Sequence, residues 1–312
     1  MGLRIVHGWK HLASADRGAA VALGNFDGVH QGHQQVIAGA AQAARAVGAP
    51  LAVITFDPHP RRLFHPDEPA FRLMTTDQQA RALEALGVDL LYVLNFDFEM
   101  ANFSDRAFVE QVLHEGLGVR HVAVGFDISF GKGRTGSPEA MKTYGAELGF
   151  TVSVAEAVGE GAEKFSSTAV RAALRDGHPQ EAAAILGRPF AIEGVVRRGQ
   201  QLGRTLGFPT ANVFMVDYVV PRLGVYATRT RLPDGRVLPG VANIGNNPTT
   251  GEVETRLEVW LFDFDEDLYG QVIETQLIAF LRPEEKFTSI DEMVVQIRRD
   301  EAAAREILRA GM

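Results

Sequence analysis

The sequence contains no cysteine among its 312 residues. This absence excludes disulfides, thiolate metal sites and cysteine nucleophiles, and it is consistent with a reducing compartment. No apolar run reaches the roughly 18 residues that a membrane-spanning helix needs. The amino terminus, MGLRIVHGWK, lacks the apolar core of a secretory signal, and Val6 stands where a myristoylation motif requires Ser or Thr. We therefore expect a cytoplasmic protein without a membrane segment.

A net positive charge is also missing, because 31 Lys and Arg face 39 Asp and Glu. A bulk nucleic-acid binder would normally carry a basic face, so no nucleic-acid partner is expected. Two common nucleotide-binding motifs are absent as well. The stretch GFDISFGKG approaches a Walker P-loop, but its spacing is wrong and Gly133 replaces the Ser or Thr that would hold magnesium. No G-x-G-x-x-G fingerprint stands in the first Gly-rich turn.

The composition, 46% apolar and 22% charged, is that of a globular protein with enough apolar residues for a sizeable core. From Ala19 to about Gly149, short apolar runs alternate with amphipathic helical segments. This alternation predicts an α/β domain, a parallel sheet with helices on both faces that binds ligands at the carboxyl ends of its strands. The predicted strands are AAVALG, LAVITF, DLLYVLNF and HVAVGF.

The pattern changes after two further predicted helices, FSSTAVRAALRDG and QEAAAILGRPF, and we place a domain boundary near Gly187. The expected domains are thus 1–186 and 187–312. The period then becomes two, which predicts a small all-β domain, a six-stranded antiparallel barrel that leaves no open edges. A terminal helix is expected from Ser289, with a capping box formed by Ser289 and Glu292.

The stretch GNFDGVHQGH lies where the first strand gives way to a helix. Its glycines allow a ligand to approach the backbone, and the helix start offers N–H donors to an anion. His30 and His33 would add two more donors. The ordinary alternative, a Gly-rich turn with histidines used as caps, is about as probable from local sequence alone. A metal site is less favoured, because the Glu and the spacing of a zinc protease are missing.

This stretch resembles the nucleotidyltransferase signature of the bacterial bifunctional riboflavin kinase/FMN adenylyltransferase family. Further motifs follow in the order of that family over nearly the whole chain: FDPHP, GFDISFGKGRTG, FSSTAVR, GRTLGFPTAN, NIGNNPT and LEVWLFDFDEDLYG. The resemblance implies a transferase with two activities, a kinase that makes FMN from riboflavin and ATP and an adenylyltransferase that makes FAD and pyrophosphate from FMN and ATP. The first domain would be the adenylyltransferase and the second the kinase.

For the adenylyltransferase, the resemblance implies that His30 and His33 contact the ATP phosphates and stabilise the transition state. The other residues expected at ATP are Asn25, Phe26, Asp27, Gly28, Ser166, Ser167, Thr168 and Arg171. Those expected at the flavin are Phe56, Pro58, His59, Phe126, Asp127 and Phe130. Each local pattern has a simpler alternative, since SST is an ordinary helix cap and any one phenylalanine is more often core. The family commonly has Arg at position 129 and Glu at position 57, where this chain has Ser and Asp.

For the kinase, a primary alcohol must lose its proton, so a carboxylate base is expected. Glu258 shares one strand face with Arg256 and Trp260, and the resemblance assigns it as the base; an exposed Glu that pairs with Arg256 is the ordinary alternative. The family often has His where this chain has Trp260. Thr210 and Asn212 share a strand face and offer the hard oxygen ligands that suit Mg²⁺. The resemblance places six further residues near ATP: Gly203, Arg204, Thr205, Gly207, Asn243 and Tyr226.

The expected partners are ATP, riboflavin and FMN, with apo-flavoproteins as transient recipients of the products. Three alternatives stay open from the sequence. Only one half could be active, given Trp260 and Ser129. The chain could instead be a small-barrel nucleic-acid-binding protein with a nucleotide-sensing domain, or a nicotinamide oxidoreductase without the usual fingerprint.

Overall fold

The computed structural model describes residues 2–156, 165–199, 206–247 and 254–310. By packing, the chain divides into two compact units: Met1–Glu68 with Thr76–Ser166, and Pro69–Thr75 with Ser167–Met312. The two helices that precede Gly187 therefore pack with the second unit. The boundary expected near Gly187 concerns functional domains and stays a prediction.

The first unit is built on six parallel strands in the order β1-β4-β3-β2-β5-β6. They are β1 (Arg4–His7), β2 (Ala20–Leu23), β3 (Leu51–Asp57), β4 (Leu90–Asn95), β5 (His121–Gly125) and β6 (Thr151–Ala155). Strand β2 is buried along its whole length, as expected of a sheet covered on both faces. The predicted α/β fold is confirmed. The two edge strands, β1 and β6, were not predicted, because their partly exposed residues form no continuous apolar run.

The helices of the first unit are α1 (Gln31–Val47), α2 (Pro60–Phe64), α3 (Thr76–Glu84), α4 (Phe98–Ala101), α5 (Asp105–Ala107) and α6 (Pro138–Leu148), with a π-helical segment at Phe108–Gly116. Helix α1 buries Val36, Ile37 and Ala40 on one face and ends at Gly48, whose φ of 61° suits a residue without Cβ. Because α1 follows β2 in the chain, its amino terminus lies at the carboxyl end of β2, the edge of a parallel sheet where ligands bind.

The second unit is a six-stranded antiparallel, nearly closed barrel in the order β7-β12-β9-β10-β11-β8. Its strands are β7 (Phe190–Val195), β8 (Ala211–Phe214), β9 (Gly224–Arg231), β10 (Val237–Asn247), β11 (Glu254–Leu261) and β12 (Val272–Arg282). The chain beyond β7 approaches β8, where Arg197 N–H donates to the Asn212 carbonyl over 2.9 Å. The predicted barrel is confirmed.

Helices α7 (Ser167–Asp176), α8 (Pro179–Leu186) and α9 (Ile290–Ala310) complete this unit. Apolar residues of α7 and α8, such as Val170, Leu174 and Leu186, join the barrel interior in one core. Ala304 and Leu308 of α9 pack instead on an aromatic face of the barrel. Within the described part of the chain, none of the helices has the length and apolar character that a bilayer span requires.

The predicted start of α9 is confirmed with one difference. Glu292 N–H donates to Ser289 Oγ over 3.2 Å, as in a capping box. The Glu292 carboxylate, however, accepts from the backbone and hydroxyl of Thr288, one residue earlier than the simple motif predicts.

Candidate active sites

The loop between β2 and α1 carries the signature GNFDGVHQGH. Phe26, Gly28 and Val29 all have positive φ, at 49°, 88° and 42°. Two of these are not glycine, and such conformations cluster at functional sites because the surrounding structure must hold them. A Cβ at Gly32 would come within 3.1 Å of the Phe165 carbonyl and 3.2 Å of the His30 ring, so a side chain at this position would crowd both groups.

The two histidines stack at the start of α1, with ring centroids 3.6 Å apart and planes inclined by 22°. His30 is buried and is the N-cap of the helix, where its Nδ1 accepts from His33 N–H over 3.3 Å. The cap interpretation is therefore correct for His30. It does not exclude a ligand role, because a neutral imidazole that accepts at Nδ1 carries its proton on Nε2, where it can donate.

Two side chains from other elements hold the loop in place. Thr55 Oγ1, on β3, donates to the Asn25 carbonyl over 2.9 Å. Gln79 Nε2, on α3, donates to the carbonyls of Asn25 and Phe26 over 3.2 and 3.1 Å. Both side chains are buried. Neither residue was predicted from the sequence, although two adjacent glutamines, Gln78 and Gln79, are buried on α3.

A cavity of about 470 Å³ adjoins this loop, and Gly24 and Asn25 form part of its wall. Five phenylalanines line it: Phe56, Phe64, Phe96, Phe108 and Phe130. The Phe56 and Phe96 rings meet edge to face with centroids 5.6 Å apart. A planar aromatic ligand suits such a lining.

Three of the six residues expected at the flavin line this cavity, namely Phe56, His59 and Phe130. Pro58, Phe126 and Asp127 are not among the described lining residues. Phe126 is 44% exposed, because it stands on the turn that follows β5. The sequence did not indicate that Phe64, Phe96 and Phe108 line this cavity. An isolated phenylalanine after a strand or in a helix does not show which cavity it faces.

Four more residues expected at ATP, namely Ser166, Ser167, Thr168 and Arg171, lie around the start of α7. Ser167 is the first residue of that helix, Thr168 follows it and Ser166 precedes it. Arg171 is buried, and its Nε donates to the Phe71 carbonyl over 2.7 Å while its guanidinium lies over the Phe71 ring. By packing, Ser167, Thr168 and Arg171 belong to the second unit, and their contact with ATP stays a prediction.

The second unit presents a row of polar side chains across three strands. Glu258 on β11 lies directly opposite Asn212 on β8 and Asn243 on β10. Residues in such register share a sheet face with Cβ atoms roughly 5 Å apart. The predicted base is thus brought together with one predicted metal ligand and one predicted ATP residue.

These three residues stand in the wall of a cavity of about 320 Å³. The remaining wall is largely apolar and includes Phe208, Trp260, Phe287, Met293 and Ile297. The Trp260 indole meets Phe208 edge to face at 4.9 Å. Burial raises the pKa of Glu258; Arg256 acts against this and Glu284 adds to it. A carboxylate with a raised pKa is a stronger base, as proton removal from an alcohol requires.

A second cavity, also about 320 Å³, shares Thr210 and Asn212 with the first. A Cβ at Gly199 would come within 2.7 Å of Asn212 Oδ1, so Gly199 leaves room at that oxygen. A hydroxyl and an amide oxygen between two cavities fit Mg²⁺, which keeps waters and phosphate oxygens as its other ligands. Among the described residues, no three His, Asp or Glu side chains form a metal site by themselves.

The other predicted kinase residues either line neither cavity or lie outside the described part of the chain. Tyr226 lies in the barrel core, where its hydroxyl donates to the Arg222 carbonyl over 2.6 Å, and it lines neither cavity. The register explains this, because Tyr226 faces the barrel interior while its neighbours Val225 and Ala227 face α9. Gly207 is described and has a φ of 86°, whereas Gly203, Arg204 and Thr205 lie outside the described residues.

Comparison with known proteins relates each half of the chain to an enzyme family. Residues 12–169 match the family model of FAD synthetase, and residues 186–308 match that of riboflavin kinase. The chain is 40% identical over 305 residues to the bifunctional riboflavin kinase/FMN adenylyltransferase of Escherichia coli K12, covering 97% of each protein. It belongs to the bifunctional riboflavin kinase/FMN adenylyltransferase family. The predicted family and the predicted enzyme class, a transferase with these two activities, are confirmed.

Two further relatives support the assignment. The family member from Bacillus subtilis is 39% identical over 301 residues, with 94% of each chain covered. A crystal structure described as a macrolide-efflux protein from Streptococcus pneumoniae matches with a TM-score of 0.85 and 30% identity, covering 98% of this chain and 99% of that one. The adenylyltransferase and kinase folds of this chain thus recur together in a solved structure.

Proposed function

We propose that the kinase half transfers the γ-phosphoryl group of ATP to riboflavin with Glu258 as the general base. The observation that carries this proposal is the row Asn212–Glu258–Asn243 in the wall of an aromatic cavity. Riboflavin would occupy the cavity lined by Trp260 and Phe208. The nucleotide would occupy the adjoining one, next to Thr210 and Asn212.

Glu258 would take the proton of the riboflavin 5′-hydroxyl as its oxygen bonds to the γ-phosphorus and ADP leaves. Asn243, directly opposite, would help to orient the reacting groups. Thr210 and Asn212 would hold Mg²⁺, which neutralises charge on the ATP phosphates when it is bound. Paired strands carry Asn212, Glu258 and Asn243 and hold these side chains rigidly.

The adenylyltransferase half needs no base, because a phosphate monoester is largely dianionic above its second pKa of about 6. An oxygen of the FMN phosphate would bond to the α-phosphorus of ATP, and pyrophosphate would leave. His30, His33 and the N–H groups that start α1 would stabilise the oxygens that gain charge. The flavin would lie in the phenylalanine-lined cavity, whose wall includes Asn25 of the same loop.

The first experiment is incubation of the purified protein with riboflavin, ATP and Mg²⁺, followed by chromatography of the flavins. FMN that appears first and is then converted to FAD is the expected result. FMN without FAD would contradict the role assigned to the His30 site. Riboflavin that stays unchanged would contradict the kinase assignment, and FMN supplied directly would then test the other half. Binding of nucleic acid or NAD without flavin turnover would favour the rejected alternatives.

A further inference from the structure

The flavin cavity of the adenylyltransferase half carries only positive side-chain charge. Arg61, Lys132 and Arg134 line it, with two histidines, and none of its described lining residues is Asp or Glu. The Arg61 guanidinium is paired with Glu68. Neither Lys132 nor Arg134 forms a salt bridge with a carboxylate among the described residues, so their charges are not neutralised locally.

The segment that carries these two cations is held against the cavity by its backbone. Phe130 and Gly136 exchange two backbone hydrogen bonds, of 3.2 and 2.9 Å, and Lys132 N–H donates to the Phe103 carbonyl over 2.7 Å. Arg134 has a φ of 59°, unusual for a residue with Cβ. Its Nε donates to Ser129 Oγ over 2.8 Å, which fixes the guanidinium beside that residue of the cavity wall.

The flavin cavity of the kinase half has the opposite charge. Four carboxylates line it, Glu258, Glu284, Glu285 and Asp300, against one guanidinium, that of Arg282. Asp300 and Arg282 form a bidentate pair with N–O distances of 2.8 to 3.1 Å. Glu285 lies 3.8 Å from the same guanidinium, at the long end of an ion pair. The cavity therefore keeps an excess of negative charge.

We propose that the two flavin cavities select the flavin by its phosphorylation state. The cationic cavity prefers FMN over riboflavin through Lys132 and Arg134, and the acidic cavity admits neutral riboflavin and disfavours dianionic FMN. This inference rests on the proposed function of the two halves. Phosphorylation adds nearly two negative charges at the end of a neutral flavin, so the same event weakens binding in one cavity and strengthens it in the other.

As a consequence, the intermediate FMN leaves the kinase cavity and binds in the adenylyltransferase cavity. FMN is released from the acidic cavity because its new charge shares that cavity with Glu284 and Glu285. Riboflavin competes poorly for the cationic cavity because it carries no charge. Low-dielectric walls strengthen both effects relative to water. No contact between the two cavities is needed for this selection.

The cationic side is tested with the double variant Lys132→Gln/Arg134→Gln in the full-length chain. The KM for FMN in the adenylyltransferase reaction should rise about tenfold, equivalent to ~1.4 kcal/mol. The inhibition constant of riboflavin for that reaction should not change. Added NaCl should raise the wild-type KM for FMN more than that of the variant, because the variant lacks two of the three cations in the cavity wall.

The matched control is Arg45→Gln/Lys142→Gln, which removes the same charge from two exposed helix positions outside the cavity. It should leave the KM for FMN at the wild-type value. Equal KM values and equal salt dependence in both double variants would overturn the cationic half of the proposal. Lost activity of Lys132→Gln/Arg134→Gln with ATP binding intact and unchanged FMN affinity would also overturn it.

The acidic side is tested with the variant Glu285→Gln. Its kinase activity is measured as the release of ADP, which only the kinase reaction produces. FMN should become a stronger inhibitor of riboflavin phosphorylation, and the ratio of its inhibition constant to the KM for riboflavin should fall. Unchanged inhibition by FMN would overturn this half of the proposal. If the wild type failed to convert FMN, the proposed function would fail instead, and flavin-fluorescence titrations of the same variants with FMN and riboflavin would still test the charge preference.

Discussion

The proposed reaction sites of the two halves lie in different parts of their sheets. In the parallel sheet, the site lies beyond the strand ends, where the β2–α1 loop, His30 and the start of α1 meet a cavity of phenylalanines. In the barrel, the site lies along the strands themselves, where Asn212, Glu258 and Asn243 stand side by side. The first site offers donors, and the second offers a base.

The chemistry of the two nucleophiles explains this difference. FMN brings its own negative charge, so a site made of N–H groups and imidazoles is sufficient. Riboflavin brings a neutral alcohol, so a carboxylate must be held within reach of its proton and out of water. A carboxylate on a strand between two paired strands is held more rigidly than one on a loop.

Glu258→Gln is the sharpest way to separate the halves. It removes the base and keeps the shape of the side chain, so riboflavin phosphorylation should fall by about 10²–10⁴-fold. Conversion of supplied FMN to FAD should be unchanged and serves as the internal control. Chromatography of both reactions gives the answer, and FMN formation at the wild-type rate would rule out Glu258 as the base.

His30→Ser/His33→Ala is the reverse test. Serine is itself a good N-cap, so this variant removes both imidazoles and keeps a cap acceptor at the start of α1. FAD formation from FMN should fall by about 10²–10³-fold, the usual cost of lost transition-state donors. Kinase activity should persist. Normal FAD formation would show that the imidazoles do not act on the phosphates.

Asp300→Asn tests how α9 is fixed to the barrel. The Arg282–Asp300 pair is largely buried, and Asp300 also accepts from Gln296 Nε2 over 2.9 Å. Loss of one partner should lower the free energy of unfolding of the second unit by about 3 kcal/mol, because the largely buried Arg282 keeps only the more distant carboxylate of Glu285, 3.8 Å away. Asp263→Asn removes an exposed partner of Arg305 on the same helix and should have little effect.

The chain offers a convenient probe for that measurement. Its two tryptophans, Trp9 and Trp260, lie in different units. In a Trp9→Phe background, the remaining fluorescence reports the barrel during urea unfolding. Equal losses of stability in Asp300→Asn and Asp263→Asn would contradict a special role for the buried pair.

Gln79→Ala tests how the signature loop is positioned. Without the amide, the carbonyls of Asn25 and Phe26 lose a shared donor, and the loop is freer to leave its positive-φ conformation. We expect a loss of about tenfold in kcat/KM for FAD formation, the effect of one hydrogen bond of ~1.4 kcal/mol. Gln78→Ala, its neighbour on α3, is the comparison variant. Equal effects would point to the helix rather than to the loop contacts.

His121 provides the smallest expected effect, a pH dependence of stability confined to the first unit. Burial lowers the pKa of His121, whose ring nitrogens lie 2.8 Å from Thr151 Oγ1 and Ser153 Oγ. Between the lowered folded pKa and the unfolded value near 6.5, the unfolded chain binds the extra proton. The stability of the first unit should therefore fall as the pH drops below about 6.5.

Urea unfolding of Trp260→Phe, followed by Trp9, measures this dependence. In a His121→Gln variant the slope between pH 5 and 7 should be reduced, although glutamine can still bond to the two hydroxyls. A slope that matches the parent would show that other groups cause the pH dependence.

Sequence periodicity determined the fold class of both halves. Buried apolar runs that alternate with helices leave a parallel sheet as the arrangement that covers both faces, and a period of two without helices leaves an antiparallel barrel. The ordered motifs also identified the family and the residues that meet in the polar row. The motifs named Asn212, Glu258 and Asn243 one by one, but their meeting was not predicted, because the pairing of β8, β11 and β10 brings them together.

The tertiary structure decided what depends on contacts distant in sequence. Packing determined which phenylalanines line the cavity, and it placed Tyr226 in the core. It also brought Thr55 and Gln79 into contact with a loop some 30 and 54 residues earlier in the chain. It also gave the two proposed flavin cavities linings of opposite charge, which the acidic overall composition does not reveal. A local pattern sets the direction of a side chain from its own strand or helix, but its neighbours come from packing, and charge acts through neighbours.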